Sequence, residues 1–489
     1  RLIVNKNTPF AQISITKSGE QLNVLLNAIP LFSHNDIRTE AMTHIPMSQV
    51  ETGATVLLIA GGVFGTLKEI VRHHPARIDY VELDPSIVSL DSKIDNVLSN
   101  PVINTHIGDG RLFIKDAITR NTIQYDCIIL DLPDPENIQL NRFYTLEFFQ
   151  EAKKILSDQG VLFFTLTGAE NYLGSNALAL NISVYGALKR VFPHILVLPG
   201  ETNSYLASVT PLSTKVADIL KTRHITTRWL GDYQLPTMLN TFRIDQTKEL
   251  LDHNEQSINT DLSPSAFKHL LNLWIKQSDT SEFLLNMLII LVLFLAIVSC
   301  QGDALRFVTM SSGYTGIAME LSLLIIFQLI RGYAYLWIST YVTLFMIGSI
   351  LGAIVSRRRN YKKPLHKIRN CDIAMIMITL ISILTSLFVL QYSKRAIPLG
   401  IQYFIIPVEI LAIAMAIGYQ FVAISTIVKG GETEITGRLY LCDLAGSAGG
   451  TLLITLLLLP KFGLIGVLLS VLIIKIISMV MIKAYAIKS

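Results

Sequence analysis

A chain of 489 residues that is 51% hydrophobic and only 16% charged, with a mean hydropathy of +0.47, is too apolar for a soluble protein of ordinary composition. A net charge of +4 is small and says little about nucleic acid, the basic residues mattering by location instead; no nucleic-acid partner is expected. The four cysteines, Cys127, Cys300, Cys371 and Cys442, are scattered without a CxxC pair, which excludes a disulfide framework and gives no metal site. The apolar excess is concentrated beyond residue 280, so the chain divides into an N-terminal element (1–50), a soluble α/β domain (51–280) and a helical membrane domain (281–489). It begins at Arg1, with neither an initiator Met nor a signal peptide, and is expected to be part of a longer protein.

In chain order, residues 10–30 alternate in polarity and turn at Lys17-Ser18-Gly19, which predicts a small β-hairpin element. Residues 33–48 read as a helix, with Asn35 or Asp36 as its N-cap. TVLLIA from Thr55 has the continuous apolar character of a strand buried on both faces. The glycine turn Gly61-Gly62-Val63-Phe64-Gly65 follows, then the helical pattern TLKEIVRHH, stopped by Pro75. A second strand, IDYVELD, carries Glu82 near its end. Glycines admit a ligand close to a helix N-terminus, and an acid ending the next strand can accept from two ribose hydroxyls. This spacing predicts a Rossmann-like nucleoside site; the alternative is a βαβ unit whose glycines serve only packing.

The third strand, VINTHI, leads into Gly108-Asp109-Gly110, where an acid between glycines can point at an exocyclic amine such as that of adenine. The fourth, YDCIILD, runs into Asp131-Leu132-Pro133-Asp134-Pro135. Open α/β sheets bind ligands at the carboxyl ends of their strands, and two carboxylates there suit a cationic substrate, one holding an ammonium and the other accepting its proton. A solvated turn is the bland alternative. Helix 141–156, strand GVLFFTLTG, a further helix, and strands HILVLPG and SYLASVT complete a seven-strand pattern whose last two members should form an antiparallel hairpin.

The hairpin element, the glycine turn, VELD, GDG, DLPDP and NRFYTLEFF together resemble the spermidine synthase (aminopropyltransferase) family, over about residues 8–210, and in particular its membrane-fused bacterial branch. The resemblance implies a methyltransferase-like Rossmann sheet with an N-terminal β-domain. It also implies aminopropyl transfer from decarboxylated S-adenosylmethionine to an amine such as putrescine, with no tightly bound cofactor. By position, Gly61, Gly62, Gly65 and Gly110 would line the cosubstrate, Glu82 would hold the ribose and Asp109 the adenine. Asp131 would accept the proton and Asp134 grip the amine, with Gln12, His44 and Tyr144 as further substrate contacts. A homodimer is a candidate assembly. Two departures stand out: Val63 replaces an acid of the glycine turn, and Arg38-Thr39 falls where a tyrosine doublet is expected. An arginine there would repel a polyamine. A non-catalytic polyamine transporter or sensor, and an S-adenosylmethionine-dependent methyltransferase, therefore stay open.

Seven apolar stretches, about 283–300, 313–331, 335–355, 372–392, 398–427, 440–460 and 463–485, are each long enough to span a lipid bilayer. The basic run SRRRNYKKPLHKIRN (356–370) should face the cytoplasm. Seven spans would then put the soluble domain outside, whereas an S-adenosyl cosubstrate requires it inside. We expect a bacterial inner-membrane protein with a cytoplasmic soluble domain and a first stretch that does not cross. Glu320, Glu409 and Asp443 lie within apolar stretches, where ionisable groups are costly and point to function; the alternative is a hydrogen bond to a neighbouring helix or a place near an interface, and Asp443, close to Arg438 and the edge of its stretch, is read that way. Gly446 and Gly450 offer a face for close helix packing, and Pro407 a kink.

Overall fold

The computed structural model describes residues 1–19, 21–33, 37–121, 123–169, 174–231, 234–253, 257–277, 303–332, 335–358, 364–392, 404–428 and 432–488. The chain forms two compact units, Arg1–Thr260 with Ser265–Leu270, and Asp261–Pro264 with Leu271–Ser489. The N-cap residues Asn35 and Asp36, Cys300 and the stretch 283–300 lie outside the described residues.

The first unit opens with four antiparallel strands in sequential order, β1 (Leu2–Asn7), β2 (Gln12–Ser18), β3 (Gln21–Leu26) and β4 (Ile29–Ser33). The expected hairpin is its β2–β3 pair, turned at Gly19 with φ 61°. Val4, Ile13, Ile15 and Val24 alternate onto one face and pack against Phe64 and Leu90, so this small sheet covers the glycine turn of the main sheet.

The main sheet has seven strands: β5 (Thr55–Ile59), β6 (Arg77–Glu82), β7 (Ile103–Ile107), β8 (Tyr125–Leu130), β9 (Leu156–Thr167), β10 (His194–Leu198) and β11 (Thr202–Ser208). Their spatial order is β10-β11-β9-β8-β5-β6-β7, parallel from β9 to β7, with β11 antiparallel to both β9 and β10. This is the Rossmann-like arrangement with the predicted terminal hairpin. The chain runs outward from β5 in one direction to β7 and in the other from β8, which leaves a crevice at the carboxyl ends of β5 and β8. These two strands are the most continuously apolar because helices cover both of their faces; Val56, Leu57, Leu58, Ile128, Ile129 and Leu130 are all fully buried.

Two features fix the helices around the crevice. Thr145 caps the helix Leu146–Ile155 through the Phe148 N–H. Arg111, on the helix Gly110–Arg120, makes a bidentate pair with Glu151 at 2.7 and 3.0 Å, both side chains fully buried, and donates to the Arg142 carbonyl at 2.9 Å.

In the second unit, five helical segments among the described residues are long and apolar enough to cross a membrane: Ala304–Arg331, Trp337–Arg357, Leu365–Val389, Ile406–Ser425 and Thr436–Ile487. The last two expected stretches, 440–460 and 463–485, follow each other without a loop in the run Thr436–Ile487, which has a π-helical turn at Ile454–Leu458 and is kinked at Gly463, whose φ of 67° and ψ of −172° are not helical, so two helices meet where the expected stretches divide. Pro407 stands near the start of the helix Ile406–Ser425, directly after the π-helical residues Phe404 and Ile405. The expectation for Gly446 is met: a Cβ there would collide with the Met310 backbone, so helices 304–331 and 432–453 touch main chain to main chain.

Candidate active site

The crevice is built from three turns. After β5 the chain enters left-handed conformations at Ala60 (φ 64°) and Gly61 (φ 68°). A Cβ on Gly61 would overlap the Asp131 carboxylate, so the glycine is required by what faces it. The turn ends at Gly65 (φ 122°), from which the helix Thr66–Val71 starts. Val63 is fully buried, an apolar side chain in the core where the resemblance would have an acid at the ligand.

Asp131 follows β8, the central strand, anchored by its N–H to the Ile59 carbonyl at 3.0 Å. Its Oδ2 accepts from the Thr66 hydroxyl at 2.9 Å and its Oδ1 from Arg38 Nη2 at 3.0 Å. Only 7% of the Asp131 side chain is exposed, against 30% for Arg38, so the guanidinium lies outside the carboxylate, toward solvent. Arg38, Thr39, Met42, Phe64, Thr66 and Asp131 line a narrow cavity around Gly61. Asp134 accepts from the Thr167 N–H at 3.1 and 3.3 Å through its two oxygens. Burial pushes the Asp134 carboxyl up; its bonds from Thr167 and the charge of Arg38 offset this only in part.

At the end of β6, Glu82 is buried, accepting from the Tyr80 hydroxyl at 2.8 Å and from the N–H groups of Leu83 and Asp84 at 2.8 and 3.2 Å. Burial raises its carboxyl above the ordinary value in spite of these bonds. Gly110 packs on Ile59, where a Cβ would not fit, and Gly62 lies against Tyr80 and Leu67.

Several expected contacts are engaged elsewhere. Asp109 is the N-cap of helix 110–120, accepting from the Arg111 and Leu112 N–H groups at 3.0 and 3.1 Å, and it forms a buried ion pair with Arg142. Burial alone would raise its carboxyl, but the Arg142 charge and these bonds outweigh it and hold the group below its ordinary value. His44 is fully buried, with Nδ1 2.8 Å from His73 Nε2 and Nε2 3.3 Å from Glu69 Oε2. Tyr144 is fully buried, its hydroxyl donating to the Pro133 carbonyl at 2.7 Å, so it shapes the loop between the two aspartates. Gln12 is an exposed position of β2, bonded to Asn5 at 3.2 Å.

In the membrane-type unit, Glu409 is buried and accepts from the Ser382 and Thr385 hydroxyls at 2.6 and 2.9 Å. Glu320 and Asp443 are half-buried on their helices. Sequence reasoning missed a larger polar centre: Lys475 donates to Asp372 at 3.0 Å, to Ser311 at 3.1 Å and to Ser312 at 2.9 Å, and Asp372 also accepts from Ser478 and Gln420 at 2.7 and 2.8 Å. The signal is present in the sequence, since Lys475 is the single charge between Lys461 and Lys483 in an otherwise apolar stretch.

Residues 35–203 match the Spermine/spermidine synthase domain. Polyamine aminopropyltransferase 2 of Aquifex aeolicus (strain VF5) is 27% identical over 217 residues, which cover 42% of this chain and 43% of that protein. A polyamine aminopropyltransferase of Clostridium acetobutylicum is 33% identical over 173 residues, 33% of this chain and 58% of that one. The chain thus spans about half the length of these two curated relatives. Among solved structures, spermidine synthase from Thermotoga maritima is similar at 19% identity and a TM-score of 0.41, over 52% of this chain and 88% of that one.

Proposed function

We propose that the spermine/spermidine synthase domain of residues 35–203 makes this chain a membrane-bound transferase that moves an aminopropyl group from decarboxylated S-adenosylmethionine to an amine. The observation that carries this reading is the placement of Asp131 and Asp134 at the carboxyl end of the central strand, beside the β5 glycine turn. In this reading Gly61, Gly62, Gly65 and Gly110 line the nucleoside, Glu82 accepts from its ribose hydroxyls, and Asp109 meets the adenine through what its oxygens can still accept. The acceptor amine attacks the methylene next to the sulfonium. A C–N bond forms, the C–S electron pair returns to sulfur, and methylthioadenosine leaves as a neutral thioether. An ammonium has no lone pair to attack with, so Asp131 takes its proton while Asp134 orients it. The five apolar segments hold the enzyme in a membrane, and we place the soluble unit on the cytoplasmic side of a bacterial inner membrane, where S-adenosyl compounds are made.

The test uses the full chain in detergent with decarboxylated S-adenosylmethionine and a panel of amines, followed by chromatography for methylthioadenosine. Release is expected, with a loss of at least ~100-fold in Asp131→Asn. Formation of S-adenosylhomocysteine from S-adenosylmethionine instead would assign methyl transfer. If neither product forms and no S-adenosyl compound binds, the enzyme reading is wrong.

A further inference from the structure

The charged side chains that line the cavity are already paired with each other. Arg38 stands in the first turn of the helix Ile37–Met47 and donates to Asp131 Oδ1 at 3.0 Å, with its guanidinium nearer solvent than the carboxylate it holds. The other side chains lining the cavity, Thr39, Met42, Phe64 and Thr66, carry no charge. Asp134, outside this lining, accepts from the Thr167 N–H through both oxygens. A substrate ammonium that approaches Asp131 therefore meets the Arg38 guanidinium already on it, and like charges forced together at a desolvated site repel.

We infer that the acceptor is an amine that also carries a carboxylate, and that Arg38 is the residue selecting it. This rests on the transferase reading above. A substrate carboxylate offers the guanidinium the same bidentate partner that it finds in Asp131. On binding, that carboxylate takes Arg38 from Asp131, and the substrate ammonium takes its place on Asp131. Two ion pairs replace one. The exchange also uncovers the proton acceptor only when the correct substrate is present. The amine then attacks as described: its nitrogen forms the new bond to carbon, the C–S bond breaks toward sulfur, and the proton goes to Asp131 and on to water.

Ornithine and putrescine make the test, because they differ only by a carboxylate. The full chain in detergent, saturated with methylthioadenosine, is titrated calorimetrically with each amine. Transfer from decarboxylated S-adenosylmethionine to each is then measured. Wild type is expected to bind ornithine at least tenfold more tightly than putrescine, and to show the same preference in kcat/KM. Arg38→Gln should lose that preference while its affinity for methylthioadenosine stays unchanged, which shows that the variant is folded. Equal or tighter binding of putrescine by wild type, or an unchanged ratio in Arg38→Gln, overturns the inference. The binding arm decides even if no aminopropyl transfer is seen, so failure of the transferase reading and failure of the carboxylate-bearing acceptor are read separately.

Discussion

Asp134 is the residue at which function and stability pull in opposite directions. Its carboxyl is pushed up by burial, so folding disfavours its ionised form, whereas gripping an ammonium requires it ionised. The sign follows from linkage. A group raised above its unfolded value stabilises the fold below that value, and the contribution is lost as pH rises through the folded value. At neutral pH an ionised Asp134 is thus a cost to the fold. Asp134→Asn is expected to raise the melting temperature of the protein at pH 7 while lowering kcat/KM by about 100-fold or more. In the wild type, kcat/KM should fall on acidification through an apparent pKa above the ordinary 3.8. A thermal scan and a pH–rate profile check both, and a variant that is less stable at pH 7 would contradict the argument. Arg38 could be read from the sequence as out of place. That its target is Asp131, 93 positions away, could not, because the link depends on how the helix 37–47 lies across the sheet.

Among the helices, the polar centre around Lys475 sets the register of four of them: Ser311 and Ser312 on 304–331, Asp372 on 364–392, Gln420 on 406–425, and Lys475 with Ser478 on 459–488. Lys475 and Asp372 are fully buried, and each finds its hydrogen bonds inside the bundle. Removing one member of such a pair leaves a bare charge, at a typical cost of about 3–5 kcal/mol, whereas replacing both by apolar groups is often neutral. Lys475→Met is therefore expected to destabilise the protein strongly in detergent. Lys475→Met combined with Asp372→Leu should recover most of the loss. Thermal unfolding of the two variants distinguishes them, and a double variant no better than the single one would mean that the pair does not act as a unit. The element boundaries themselves were legible, because buried strands such as TVLLI and YDCIIL have no polar face to hide.

For the α/β unit as a whole, the weak point is acid. His73 is held to about 3, first by its burial and then by the charges of His44, Arg223 and Arg72. A histidine lowered in this way is buried neutral, so its contribution is present above the ordinary 6.5 and is lost as pH falls toward 3. Glu69 adds to the same trend: burial would raise it, but its bonds to His44 and Arg72 prevail and hold it below 4.5, so its stabilisation also disappears on acidification. The stability of this unit should decline between pH 6.5 and 3 by up to about 1.4 kcal/mol per pH unit from His73 alone. His73→Gln is expected to flatten that slope. Chemical denaturation at several pH values measures it, and an unchanged slope would show that His73 is not the group responsible.

By itself the sequence determined the seven strands, the glycine turn, the strand-end acids and the apolar helices. Each of these is written in a local pattern: continuous apolar runs for strands covered on both faces, glycines where φ is positive, and acids where a strand stops. Only the tertiary structure decided what the acids face. Asp109 turned out to cap a helix and pair with Arg142, His44 to lie in a buried histidine–carboxylate network, Tyr144 to hold the loop, and Asp131 to be paired with Arg38. A carboxylate looks the same in sequence whether it meets a ligand, a helix end or an arginine. Which of these it meets is set by side chains that the fold brings together from far along the chain, where no local pattern records them.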